Sequence, residues 1–262
     1  LMLVSKGQIC WFLTCENDAL KLVRSRHRLT SRLSRNFEPF KNACIGTSLQ
    51  KAEWKDGSLI KAARLAALLH DVGKLSLGWQ TWVETYQREI GKPIEKGFVG
   101  AHTDSERGNP IHQAAARKTD RLRPTHAAES VIAAQYLVQD ALYGEEALMR
   151  AVFTAIARHH TAFVENCAKF VLIADAANQI RSTFKYVDTV LAKSINLREL
   201  TPSNPSDASL QDHLANPGRT YEWLAYTLLA RALRGADSEG TRRGGLHLVA
   251  HGGTGLVYPD DL

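Results

Sequence analysis

The stretch Leu65-Ala-Ala-Leu-Leu-His70-Asp71-Val-Gly-Lys74 decides how this 262-residue chain is read. An apolar helical run passes directly into adjacent imidazole and carboxylate side chains, then breaks at Gly73 beside a lysine. Neutral imidazole and carboxylate are both ligands for divalent metals. Placing them at the end of a buried helix costs free energy unless something pairs with them. The stretch therefore reads as half of a metal site, and the remaining ligands must come from elsewhere in the chain.

Working outward, Leu59 to His70 is apolar nearly all round, the mark of a central helix, and Ser58 after the Asp56-Gly57 turn signal is its expected N-cap. Ala63, Ala66, Ala67 and His70 fall on one helical stripe, which turns His70 inward. Thr125 is the expected N-cap of a helix beginning at His126. A further helix is expected from about Glu145 to His160, with Val152, Ile156, His159 and His160 on one face. Residues 163–195 also read as helical, with Phe170, Ile173, Ala177 and Ile180 as a stripe. A last helix, Thr220 to Ala236, carries Leu229, Leu233 and Ala236 on its inward stripe and places Asp237 on that stripe at the helix end.

Alternating patterns and internal repeats are nearly absent, so the fold class is mainly α, in a single domain over residues 1–262. A small β-hairpin near the C-terminus is expected from Leu246–Val249 and Leu256–Tyr258. Residues 1–13 suit a short strand or a buried lead-in equally. Trp82, Val83 and Tyr86 extend a helix to about Ile90; the rest of 80–124, with its glycines, prolines and charges, reads as an irregular insertion or lid. Pro202, Pro205, Pro217 and Gly218 mark 201–218 as a connecting loop.

Hydrophobic residues at 44% and charged residues at 23% are ordinary for a globular protein. A net charge of +6 favours an anionic partner such as nucleic acid or nucleotide. The four cysteines form no CxxC pair, which suits reduced thiols and a cytoplasmic setting. The opening residues lack the order of a signal peptide, and no run approaches a membrane span, so no membrane partner is expected. Residues 16–37 read as a helix with a basic face of Lys21, Arg24, Arg26, Arg28, Arg32 and Arg35, either solvated or facing nucleic acid.

His70 and Asp71, His126, His159 and His160, and Asp237 thus all lie on apolar faces at helix boundaries. Converging imidazoles and carboxylates make a nitrogen–oxygen site suited to a transition metal or magnesium. Five or six such ligands are enough for two ions about 3.5–4 Å apart, as in many phosphodiester-cleaving sites.

These residues carry a resemblance. The run His70-Asp71-Val-Gly-Lys74 resembles the hallmark of the HD superfamily of metal-dependent phosphohydrolases. LHDVGKLSLGWQ (residues 69–80), THAAES (125–130), IARHH (156–160) and LARALRGADSEGT (229–241) are similar, in order and rough spacing, to motifs of the CRISPR-associated HD nucleases of type I systems. Thr125 stands where that family often has a basic residue, and Gly235 where it has a bulkier one.

The resemblance implies an HD-domain helical bundle, standing alone or excised from a larger helicase-nuclease. It implies cleavage of single-stranded DNA by two-metal phosphodiester hydrolysis in antiviral defence. The partners would then be a CRISPR helicase, fused or separate, and an RNA-guided surveillance complex. It assigns one divalent ion to His27, His70, Asp71 and Asp237. The second would go to a bridging Asp71 with His126, His159 and His160. Manganese, nickel, cobalt, iron and magnesium are the candidate ions. His102 and His112 compete as ligands. Asp71 and Lys74 would be catalytic, Lys74 by binding the scissile phosphate; Ser130 and Ser238 would support the ligands. Arg24, Arg28, Arg32, Arg117, Arg121 and Arg123 would follow the nucleic-acid backbone, with Trp79 and Trp82 as stacking platforms. The alternative enzyme is an HD phosphohydrolase for nucleotides or cyclic nucleotides; the non-enzyme alternative is an HD-derived binding module.

Overall fold

The computed structural model describes residues 3–5, 8–10, 57–94, 99–161, 163–164, 166–187 and 189–250, and of 3–5, 8–10, 186–187, 189–190 and 238–250 only the backbone. His27, Arg24, Arg28 and Arg32 lie outside the described residues, as does the rest of the basic 16–37 segment.

The fold is mainly α, with two short antiparallel strand pairs among the described residues. In chain order the elements are β1 (Leu3–Ser5), β2 (Gln8–Cys10), α1 (Ser58–Leu69), α2 (Leu77–Glu89), α3 (Pro110–Thr119), α4 (His126–Ala141) and α5 (Glu146–Ala157). Then come β3 (Phe170–Val171), α6 (Ala176–Val187), α7 (Thr189–Ser194), β4 (Ser203–Asn204) and α8 (Thr220–Ala250). A single 3-10 turn, Val72–Leu75, joins α1 to α2. No helix among the described residues is long and apolar enough to cross a membrane.

Helices α1, α4, α5 and α8 pack on one another and form the core. Seven of the twelve residues of α1 are buried, as its nearly continuous apolar run dictates. Leu65, Leu69, Leu137, Leu148, Ile156, Leu229 and Leu233 fill the space between the four helices. Each such side chain contributes about 1.5–3 kcal/mol relative to exposure. The polar residues of the decisive stretch lie just beyond α1, in the turn that packs against α4.

That packing is unusually close. A Cβ at Gly73 would come within 2.1 Å of the His126 carbonyl oxygen, so only glycine fits. Ser130 locks the contact: its Oγ accepts from Gly73 N at 2.8 Å and donates to the His126 carbonyl at 2.7 Å. The turn that carries Asp71 and the helix start that carries His126 are thereby held as one piece.

Several local expectations are corrected. The cap of α1 is Gly57, in the left-handed region at φ 81°; Ser58 is the first helical residue and donates to Glu145 instead. Thr125 occupies the N-cap position of α4, but its hydroxyl makes no capping bond. Helix α5 stops at Ala157, so His159 and His160 stand in the following turn. The described residues between 163 and 175 are not helical. Phe170–Val171 pairs with Ser203–Asn204, and α6 begins only after Asp175, whose carboxylate accepts from the Asn178 and Gln179 side chains. The 80–124 insertion contains a helix, α3, started by Asn109 capping Ile111 N and by Pro110 in the first turn.

The small hairpin joins β1 to β2 at the N-terminal end, pairing Leu3 with Cys10. Leu246–Val249 continue α8, where intrahelical hydrogen bonds satisfy the backbone without a partner strand; residues 256–258 lie outside the described residues. Asp237 accordingly sits within α8, not at its end.

The Gly73–His126 contact makes a direct prediction. Gly73→Ala must displace the first turn of α4, and overpacking of this kind costs about 1–3 kcal/mol. Urea denaturation should show that loss with an unchanged dependence on denaturant concentration, whereas Gly91→Ala, at an open turn with φ 75°, should cost less.

Candidate metal centre

Each member of the cluster is delivered by a helix boundary. His70 and Asp71 follow α1, His126 opens α4, and His159 and His160 follow α5. Two helix C-termini, the negative ends of their dipoles, therefore meet at the cluster, which favours a cation there.

Two of the imidazoles are oriented by the helices that carry them. His70 Nδ1 lies 2.9 Å from the Ala67 carbonyl, and His159 Nδ1 lies 2.6 Å from the Ile156 carbonyl. A carbonyl can only accept, so each Nδ1 is the donor and each Nε2 keeps a lone pair directed into the site. Such back-bonding to a carbonyl is the usual way a ligating histidine is fixed.

Asp71 is the centre. It is 5% exposed. Its Oδ2 pairs with Lys74 Nζ at 2.8 Å and approaches His70 Nε2 at 3.4 Å. Its Oδ1 faces His126 Nε2 at 3.4 Å and His159 Nε2 at 3.7 Å. Those distances exceed a formed N–H···O bond, and Asp71 Oδ1 and His159 Nε2 are both buried without a hydrogen-bond partner. His160 Nε2 lies 3.1 Å from His126 Nε2. Ligand atoms of Asp71, His126, His159 and His160 all lie within 4.8 Å of one another.

Buried acceptors that face one another without donors are costly in a protein interior. Three imidazoles and one carboxylate whose ligand atoms converge in this way are donors of the kind that divalent metals take. The residues therefore fit a metal ion, and the cluster could hold one.

The electrostatics keep His70, His126, His160 and Asp71 free of protons. Burial holds His70 well below its ordinary value, and burial, partly offset by Asp71, lowers His126 to about 4. His160 is exposed as a residue, but its inward ring is lowered to about 3 by desolvation and by His159 and His126. Burial alone would raise Asp71; His70, Lys74 and the facing imidazoles outweigh it and hold the carboxyl well below the usual carboxylate range.

Asp237 stands apart from this group. Its Oδ1 is 3.9 Å from His70 Nε2, and its side chain is 47% exposed. Lys74 is no exposed helix-end lysine. It is 4% exposed, pairs with Asp71, and lies 5.3 Å from the Trp79 ring. Trp79 and Trp82 are buried against each other, and Trp79 packs its edge on His126 at 4.6 Å, so neither is a platform for a base. Arg117, Arg121 and Arg123 are exposed, with Arg123 over the Trp82 ring at 5.2 Å. His112 is buried away from the cluster, its Nδ1 accepting from Glu106 N at 2.8 Å. The side chain of Ser238 lies outside the described residues.

Sequence reasoning missed two contributors. Gln80 donates to the carbonyls of Lys74 and Gly100, tying the Asp71–Lys74 turn to the insertion. Glu129 is buried one turn into α4, its Oε2 without a partner, and burial raises its carboxyl to about 7. Its place beside Ser130 in the motif was the available signal.

Comparison with protein-family models, curated proteins and solved structures finds no match to this chain.

Two outcomes test the centre. His160→Ala removes the most exposed donor, so the metal-free protein should keep its melting temperature. Divalent-metal affinity should fall at least tenfold, since even supporting residues of metal sites cost roughly 10–100-fold. Calorimetric titration with manganese or zinc reads this directly. Glu129 has a folded-state pKa raised above its unfolded value, so the stability it contributes is full below about pH 4.5 and lost as pH rises through about 7. Glu129→Gln should therefore raise stability at pH 8 by about 2–3 kcal/mol and leave it nearly unchanged at pH 4, measured by denaturant unfolding at both pH values.

Proposed function

We propose that this protein is a metal-dependent phosphodiester hydrolase of the HD type that cleaves single-stranded DNA, as the nuclease of a type I CRISPR interference system. The observation that carries the reading is the buried Asp71 Oδ1, without a hydrogen-bond partner, facing His126 and His159 with His160 beside them. The motif order from His70 to Asp237 and the net charge of +6 support a phosphate-rich substrate.

The residues divide the work. Asp71, His126, His159 and His160 would hold a divalent ion, which when bound acts as a Lewis acid toward a phosphoryl oxygen and lowers the pKa of water. His70 and Asp237, with His27, would serve a second ion on the Oδ2 side of Asp71. Lys74 already neutralises that oxygen, so a second ion there requires Lys74 to turn away, which would free its ammonium for a substrate phosphate. Trp79 closes the flank of His126 to water, while the exposed His160 leaves the opposite rim open to a substrate. The exposed Arg121 and Arg123 would follow a polyanionic backbone.

The test is circular single-stranded DNA incubated with the purified chain and manganese or nickel. Nicking that chelator abolishes and that His160→Ala reduces at least about tenfold is the expected result. Metal demonstrably bound with no cleavage under any divalent ion would sink the proposal. Hydrolysis of deoxynucleoside triphosphates or cyclic dinucleotides in place of DNA would transfer the site to the nucleotide phosphohydrolases.

A further inference from the structure

His102 of the insertion stands outside the four residues whose ligand atoms converge. On its α5–α8 side, by contrast, the metal centre borders a cationic aromatic cluster. Arg158 closes α5 and immediately precedes His159 and His160. Its Cζ lies over two rings of α8, 5.6 Å from the Trp223 centroid and 5.9 Å from that of Tyr226. The two rings meet at 4.9 Å and 52°, and both residues are half-buried. Attraction through ring faces leaves the in-plane N–H donors of a guanidinium unspent. Arg158 Nε is buried without a hydrogen-bond partner, and no carboxylate pairs with the group among the described residues. A partly buried positive charge is thus left uncompensated there, and an anion would compensate it.

Helix geometry ties this cluster to the centre. Residues eleven apart on an α-helix are almost three turns apart and share a face, about 16 Å along the axis. Asp237 therefore stands on the face of α8 that carries Tyr226, and Arg234 on the face that carries Trp223. Asp237 Oδ1 is 3.9 Å from His70 Nε2, and Arg234 is exposed. One strip of α8 accordingly runs from the metal centre to the aromatic pair, and the turn of His159 and His160 reaches the same pair through Arg158. A guanidinium beside ring faces selects a phosphate beside an unpaired base, the chemistry of a single strand. A duplex keeps its base faces stacked and offers only the phosphate.

We propose that Arg158, Trp223 and Tyr226 form a binding subsite for single-stranded nucleic acid beside the metal centre, with Arg158 on a backbone phosphate and the Trp223 ring stacked on a base. This rests on the reading of the centre as a nuclease, and deepens it by placing the strand that flanks the cleaved bond.

The experiment follows a labelled oligothymidine by fluorescence anisotropy with the full chain, in chelator so that nothing is cleaved, over a series of sodium chloride concentrations. Wild type should bind it more tightly than a duplex of the same length. Arg158→Ala should bind roughly tenfold more weakly and flatten the dependence of log affinity on log salt by about 0.7, the share of one phosphate contact on a single strand. Arg158→Lys keeps the charge and should keep the slope. Trp223→Ala should lose roughly tenfold and with it the preference over duplex, and Trp223→Phe, which keeps a ring face, should recover most of both. Melting temperature and manganese affinity should match wild type in Arg158→Ala. Unchanged affinity and slope in Arg158→Ala overturn the proposal, as does a wild type that fails to bind oligothymidine or binds duplex equally well. Binding that proves intact in a wild type that cleaves no DNA under any divalent ion removes the nuclease reading and leaves the subsite. Cleavage together with unchanged binding in Arg158→Ala removes the subsite and leaves the nuclease reading.

Discussion

A carboxylate buried where α1, α4 and α5 meet is the constraint on which the rest of the structure turns. Asp71 has two oxygens in two environments: Oδ2 is neutralised by Lys74, and Oδ1 faces His126 and His159 Nε2 without a hydrogen-bond partner. Removing one partner of a buried charge pair costs about 3–5 kcal/mol, because the other is left uncompensated. Asp71 is therefore structural and chemical at once. Its replacement would strand the buried Lys74, which is why a rim residue such as His160 separates metal binding from folding more cleanly.

The surrounding fold serves to bring three helix boundaries to that carboxylate. The apolar faces of α1, α4, α5 and α8 fix where the helices lie. Gly73 and Ser130 then fix how closely the α1–α2 turn approaches α4. Without the close approach at Gly73, His126 would stand back from Asp71 and the imidazoles would not share a centre.

Much of this was legible in the sequence because helix periodicity places side chains on faces. The stripe through Ala63, Ala66 and Ala67 put His70 inward, and the runs before His159 and after His126 did the same for their histidines. Errors came where local chemistry overrides periodicity. A helix that ends at Ala157 instead of His160 still delivers its histidines, because the turn keeps them on the inward side. Residues 163–175 have apolar spacing that suits a helix, yet Phe170 takes a strand partner more than thirty residues away, which no local pattern reveals. The Asn109-Pro110 start of α3 went unread, because the charges and glycines around it pointed to an irregular segment. The burial of Lys74 could not be read from position, since it depends on Asp71 and Trp79 together.

The back-bonded histidines have a consequence for how such a chelate can change. His70 is tied to Ala67 and His159 to Ile156, each by a hydrogen bond to the helix that delivers it. Their side-chain freedom is given up when the helices form, so an arriving ion would meet donors that are already aimed. The bite of the site is set by where two helices stop, not by the choice of rotamer. Altering its preference for one ion over another would then require shifting a helix end, which the close-packed core resists. Substitution at the rim would change affinity, while the coordination geometry of any bound ion would be inherited from the bundle.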